Sequence, residues 1–99
     1  MEKLKIQING ETYEAAKPKA RLWAKLASFD ERKGGLAASE FIDAHAEIIA
    51  EVFPALDKDF ILDNVDLEDI LDIYYKIFVW MTKLLTSKLN TVKNAEGDS

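Results

Sequence analysis

The chain has 99 residues, 48% of them hydrophobic and 31% charged, enough for one domain around one modest core. It contains no cysteine, so disulfides and thiol catalysis are excluded and a reducing compartment is expected. The net charge of −5 is unevenly spread: residues 1–35 carry eight Lys or Arg against five acids, residues 36–99 carry five against thirteen, and eleven of the acids crowd into 40–72 opposed by Lys58, which argues against a nucleic-acid duplex as that segment's partner.

Met1, Glu2 and Lys3 lead straight into alternating residues and not into the apolar core of a signal peptide, so an intracellular location is expected. Leu4, Ile6 and Ile8 alternate with Lys5 and Gln7, and Asn9-Gly10 follows. That dipeptide predicts a hairpin, because a two-residue type I′ turn needs positive φ at both positions. In this register Ile6 faces Tyr13 and Leu4 faces Ala15 on the apolar side, while Lys5 faces Glu14 across the other. A lone hairpin is marginal in water, so the face bearing Leu4, Ile6 and Tyr13 must rest on helices. Its open edges are available to a strand from another copy.

Pro18 suits the first turn of a helix, and Leu22, Trp23, Leu26 and Phe29 recur at helical spacing until Gly34-Gly35, which predicts a helix over 19–33. Lys17, Lys19, Arg21 and Lys25 gather at its start; without interleaved aromatics they read as a solvated face and not as a nucleic-acid surface. Ser39 is the expected cap of a second helix over 39–53, with Glu40 and Asp43 in its first turn and Pro54 beyond its end. His45 lies in that helix's apolar stripe, so a structural role is expected for it. Between 57 and 65 a short helical turn or loop is expected, anchored by Phe60, Ile61 and Leu62. Its acids fall at several positions of a calcium loop, but Ile61 and Leu62 stand where such a loop needs an oxygen ligand and a glycine, so no metal is expected.

The stretch 66–89 organises the rest. Between Ile70 and Leu85 twelve of sixteen positions are apolar or aromatic, with no Gly or Pro, and Asp66, Glu68 and Asp69 suit a helix start. Asp72, Lys76 and Lys83 interrupt the run well short of the ~20 residues a membrane span requires, so protein must cover it. Leu67, Ile70, Tyr74, Ile77, Met81 and Leu84 form one seam; Leu71, Tyr75, Phe78, Leu85 and Leu89 form a second beside it; Ile73 and Trp80 widen the arc. One seam serves the core, and the other is available to a second subunit or a partner. Tyr74, Ile77, Trp80 and Met81 are the candidate contact residues. Beyond Asn90 no apolar period continues, so a single domain over 1–90 with a flexible tail over 91–99 is expected.

No phosphate-binding glycine loop occurs, and Ser28, Ser39, Asp43 and His45 lack the context of a catalytic triad. No catalytic residue, metal or cofactor is therefore assigned. The fold expected is mainly α within the α+β class: an N-terminal β-hairpin packed on a small bundle of three main helices. Self-association is expected from the second seam and the open hairpin edges.

The order of elements, the hairpin text from Lys5 to Glu14 and the Ala16-Lys17-Pro18-Lys19-Ala20-Arg21-Leu22-Trp23 opening of the first helix resemble the small tail assembly chaperones of long-tailed bacteriophages and prophages of Gram-positive bacteria. The resemblance implies a non-enzymatic protein of the host-cell cytoplasm that coats the long tape measure protein before the tail tube polymerises and is absent from the finished virion. It further implies a longer frameshifted form that recruits tail tube protein, this chain being the short form. On the residues themselves two other classes stay open: a small structural or regulatory module dimerising through 66–89, and a DNA-binding regulator using Lys17 to Lys25. For a bound client, the acidic belt at 40–72 is expected to select basic flanks.

Overall fold

The computed structural model describes residues 3–97, with side chains for residues 3–87. Strands β1 (Lys5–Ile8) and β2 (Glu11–Glu14) form an antiparallel hairpin in the expected register, Ile6 opposite Tyr13 and Lys5 opposite Glu14. Asn9 at φ 53° and Gly10 at φ 82° take the two left-handed positions that the turn demands. The Ala15 amide donates to the Leu4 carbonyl at 2.8 Å, extending the ladder by one pair, and the Ala16 amide donates to the Val52 carbonyl at 3.0 Å. That second bond fastens the hairpin's exit to the end of a helix more than thirty positions away. Glu14 forms its ion pair at 2.9 Å with Lys3, two positions before the facing Lys5 and on the same side of the hairpin.

Four α-helices follow among the described residues: α1 (Ala20–Arg32), closed by a 3₁₀ turn at Lys33–Gly35, then α2 (Ala38–Val52), α3 (Lys58–Asn64) and α4 (Leu67–Gly97). Pro18 stands one residue before the extended cap residue of α1, Lys19, whose carbonyl receives the Leu22 and Trp23 amides. At α2 the expected Ser39 cap is not used. Ala37 is the extended residue ahead of the helix, and its carbonyl accepts from Glu40 and Phe41, so the helix opens two residues earlier and Ser39 lies inside its first turn. Asp57 does cap α3, its carboxylate accepting from the Phe60 amide at 2.7 Å, and Lys58 reaches back to Asp43 of α2 at 3.3 Å. Of the three residues expected to anchor this segment, Ile61 is buried and Phe60 is half-buried edge-on to Tyr13, but Leu62 is exposed. A seven-residue helix cannot turn three consecutive side chains inward.

The core gathers Ile6 and Ile8 from the hairpin, Leu26 and Phe29 from α1, Ile49 and Val52 from α2, Phe53 and Leu56 from the following turn, Ile61 from α3, and Ile70, Ile73, Tyr74, Ile77 and Met81 from α4. At ~1.5 Å per residue the 31 residues of α4 run about 46 Å, most of the molecule's 53 Å long axis. Its backbone stays helical through Gly97, past the expected end at 89; the side chains of the expected tail, 91–99, lie outside the described residues, as does that of Leu89. Among the described residues no helix is long and apolar enough to cross a membrane.

Candidate functional site

Three faces of α4 have three different environments. The inner face carries Ile70, Tyr74, Ile77 and Met81, all enclosed by the other elements. Tyr74 stacks edge-on to Phe29 at 5.6 Å and to His45 at 4.9 Å, and its hydroxyl donates to Asp30 Oδ1 at 2.8 Å. Lys33 Nζ lies 4.2 Å from the Tyr74 ring centroid and 3.5 Å from the same Asp30 oxygen, closing a polar knot at the edge of the core. Burial, followed by the bond to Asp30, pushes the Tyr74 hydroxyl well above the ordinary tyrosine range. Three of the four candidate contact residues, Tyr74, Ile77 and Met81, are therefore core residues in a single copy and offer no outward surface. α1 and α2 cover the face that bears them, and the period of apolar residues alone does not reveal which seam is covered.

His45 is part of the same enclosure. Its ring is fully buried among Phe29, Phe41 and Tyr74, with centroids 4.8, 4.5 and 4.9 Å away. Nδ1 lies 2.7 Å from the Phe41 carbonyl, which assigns the proton to Nδ1 as the donor and leaves Nε2 an acceptor with no partner among the described residues. Burial lowers the affinity of this imidazole for a second proton, outweighing the opposing bond to the Phe41 carbonyl, while Lys33 adds to the lowering and Asp30 works against it. The ring fills an aromatic cage, which gives it a packing role at the centre of the core.

The second face holds most of the neighbouring seam in solvent. Leu67, Leu71, Tyr75 and Leu85 are 73%, 44%, 68% and 48% exposed, while Phe78 between them is half-buried beside Trp23, 5.9 Å away. Leu67 belongs to the first seam by spacing, yet it sits at the open end of α4 where nothing packs over it.

The third face contains Trp80, the remaining candidate contact. Trp80 and Leu84, both half-buried, line two adjoining hollows. One, about 730 Å³, opens between α4 and the segment joining the hairpin to α1, over Ala15, Ala16 and Pro18. The other, about 440 Å³, runs on past Val79 and Tyr75 with Leu4 at its wall. The first hollow exists because the joining segment supplies small side chains where a larger residue would fill the space. Trp80 is thus the one of the four expected contacts that lines a surface hollow, while the opposite wall of that hollow carries no expected contact. The run Glu14-Ala15-Ala16-Lys17-Pro18, small residues between a strand and a helix, was the available signal.

The charge around these hollows is basic. Lys3, Lys17, Lys76 and Lys83 line them, against Glu14, whose carboxyl is held below the usual range by the hydrogen bond from Lys3. Of the acidic belt expected to choose a client's flanks, Asp66, Asp69 and Asp72 line a further polar hollow of about 800 Å³ between β1 and the start of α4, which shares Lys76 with the smaller hollow and where Asn9 is clamped to Asn64 at 2.9 Å. Among the described residues no three His, Cys, Asp or Glu side chains converge so as to hold a metal ion. On α1, Lys19 and Arg21 are exposed, and Lys25 is paired with Glu51 of α2 at 2.8 Å. No protein-family model, curated protein or solved structure matches this chain.

Proposed function

We propose that this chain is a non-catalytic assembly chaperone of the phage tail type, which holds an amphipathic helix of the tape measure protein in the paired hollows at Trp80 and Leu84. The observation that carries this reading is the join of two apolar hollows on one face of a long helix, an open trough that suits a helix laid into it. The resemblance in the hairpin and in the opening of α1 supplies the client. Each large apolar side chain buried in the trough contributes roughly 1.5–3 kcal/mol before the cost of association, so one copy binds weakly and many copies along one long client hold it by avidity. The lysine rim favours acidic residues flanking the client's apolar stripe. In this role the protein acts in the cytoplasm of the host cell and leaves before the virion is complete, and a longer frameshifted form brings tail tube protein to the coated client.

Co-expression with a tape measure segment tests the reading. Leu84→Glu places a charge in both hollows at a half-buried site, and should abolish co-purification while circular dichroism is unchanged. Lys19→Glu with Arg21→Glu should leave co-purification intact. The reverse pattern places the client on α1 and overturns the proposal. Added salt should weaken binding only modestly, since screening over ~8 Å touches the rim and not the apolar contact.

A further inference from the structure

The exposed seam of α4 lies beside the trough, with Tyr75 on the boundary, and has a different pattern. Leu71 and Leu85 stand seven residues to either side of Phe78, two helical turns or roughly 10.5 Å in each direction. These three residues are symmetric about Phe78. Their surrounding charge is not. The exposed acids Asp66, Glu68, Asp69 and Asp72 stand just before and within the first turns of α4; from Lys76 onward the helix has no acid until Glu96, and Lys76 and Lys83 are exposed.

We propose that this seam is the contact between two copies of the chain, packed α4 against α4 in antiparallel fashion about a two-fold axis near Phe78. An antiparallel pair sets Leu71 of one copy level with Leu85 of the other, and brings the acidic end of each helix to the basic half of its partner. A parallel pair sets acid against acid and lysine against lysine, which costs energy at both ends. The described part of the seam, from Leu71 to Leu85, is roughly 21 Å long and about one helix (~10 Å) wide. That is less than the ~800 Å² per partner of a standard stable interface, so the dimer forms and dissociates with concentration. The proposal does not depend on the identity of the client, whose trough is on the adjoining face.

Because the chain has no cysteine, single-cysteine reporters are unambiguous. Leu71→Cys and Leu85→Cys, both at exposed sites that tolerate substitution, are made with tags of different length, mixed, and joined by a short thiol-to-thiol cross-linker that spans helices packed ~8–10 Å apart. The antiparallel pair predicts that the mixed product far exceeds the two like-with-like products taken together. Dominance of Leu71→Cys joined to itself indicates a parallel pair and overturns the proposal. A mixed product at only the statistical excess of equimolar random pairing, the mixed product being as abundant as the two like-with-like products together, indicates random collision, with the same consequence. In sedimentation equilibrium the native chain should show a dimer that Glu68→Lys with Asp72→Lys shifts toward monomer; a native chain that is monomeric at its highest soluble concentration also overturns it.

Discussion

Ile77 and Leu71 are aliphatic residues of similar volume, six positions apart on the same helix. Ile77 is wholly enclosed by the rest of the chain; Leu71 is 44% exposed. Nothing in the local sequence distinguishes them, since each sits in a seam of large apolar residues at spacings of three and four. The difference lies in what packs across from them: Phe29 from α1 and His45 from α2 close over the Tyr74 side of α4, while the side bearing Leu67, Leu71 and Tyr75 turns away from both. Spacing therefore states that a helix face is to be covered. Whether the chain's own elements or another molecule covers it is a tertiary fact, and the same substitution has opposite consequences on the two faces.

The sharpest contrast is a charge placed on each face. Ile77→Glu buries a carboxylate without a partner, a cost of several kcal/mol against a total stability of roughly 5–15, and the variant should show neither cooperative unfolding nor native helical circular dichroism. Leu71→Glu should leave the urea midpoint equivalent to within about 0.5 kcal/mol, and a large loss there would show that the outer seam is part of the fold. Next in size is Tyr74→Phe, which keeps the ring but removes the donor to Asp30. A hydrogen bond to a charged group is worth about 1.5–3 kcal/mol, and Lys33 remains to satisfy the carboxylate, so urea unfolding should register a loss toward the lower end.

The enclosed face should also be the one that senses acid. The folded chain binds the second proton of His45 less readily than the unfolded chain does, so the neutral ring's contribution is fully present above the unfolded value of ~6.5 and is lost as pH falls through the lower folded value. Unfolding midpoints measured from about pH 7.5 to about pH 5 should fall more steeply for the native chain than for His45→Phe, whose ring keeps the cage filled. Equal slopes would show that this ring is not the acid-sensitive group. Smallest of all is Lys25→Ala: its partner Glu51 and the lysine itself are both substantially exposed, so the loss should not exceed about 0.5 kcal/mol in the same titration.

The hairpin was readable to the residue, because Asn9-Gly10 admits one turn geometry and a period of two then fixes every pairing. Helix positions were readable to within a residue or two where a proline or a glycine pair marks a boundary, as at Pro18 and Gly34-Gly35. The Ser39 cap misled because the Ala37 carbonyl, a main-chain group with no signature in the sequence, receives the first amides. The end of α4 was set too early for a related reason: loss of apolar period at Asn90 removes a reason to pack, not a reason to remain helical. The four expected contacts could not be sorted by sequence: Trp80 is half-buried at a surface hollow, whereas Tyr74, Ile77 and Met81 are core, since contact and core residues share the same chemistry. The basic rim of the trough could not be read at all from local charge. It arises when Lys3 and Lys17, at either end of the hairpin segment, are brought beside Lys76 and Lys83 by packing.

The trough is the proposed seat of the client. Amide and indole resonances of the isotope-labelled chain, followed while an unlabelled tape measure segment is added, locate the contact without any substitution. The trough predicts that the largest shifts fall on the Trp80 indole, Val79, Leu84 and the joining residues Ala15 and Ala16, with Lys19, Arg21 and the acids at 57–72 little moved. Shifts centred on α1 or on the acidic start of α4, with the Trp80 indole unmoved, would contradict it.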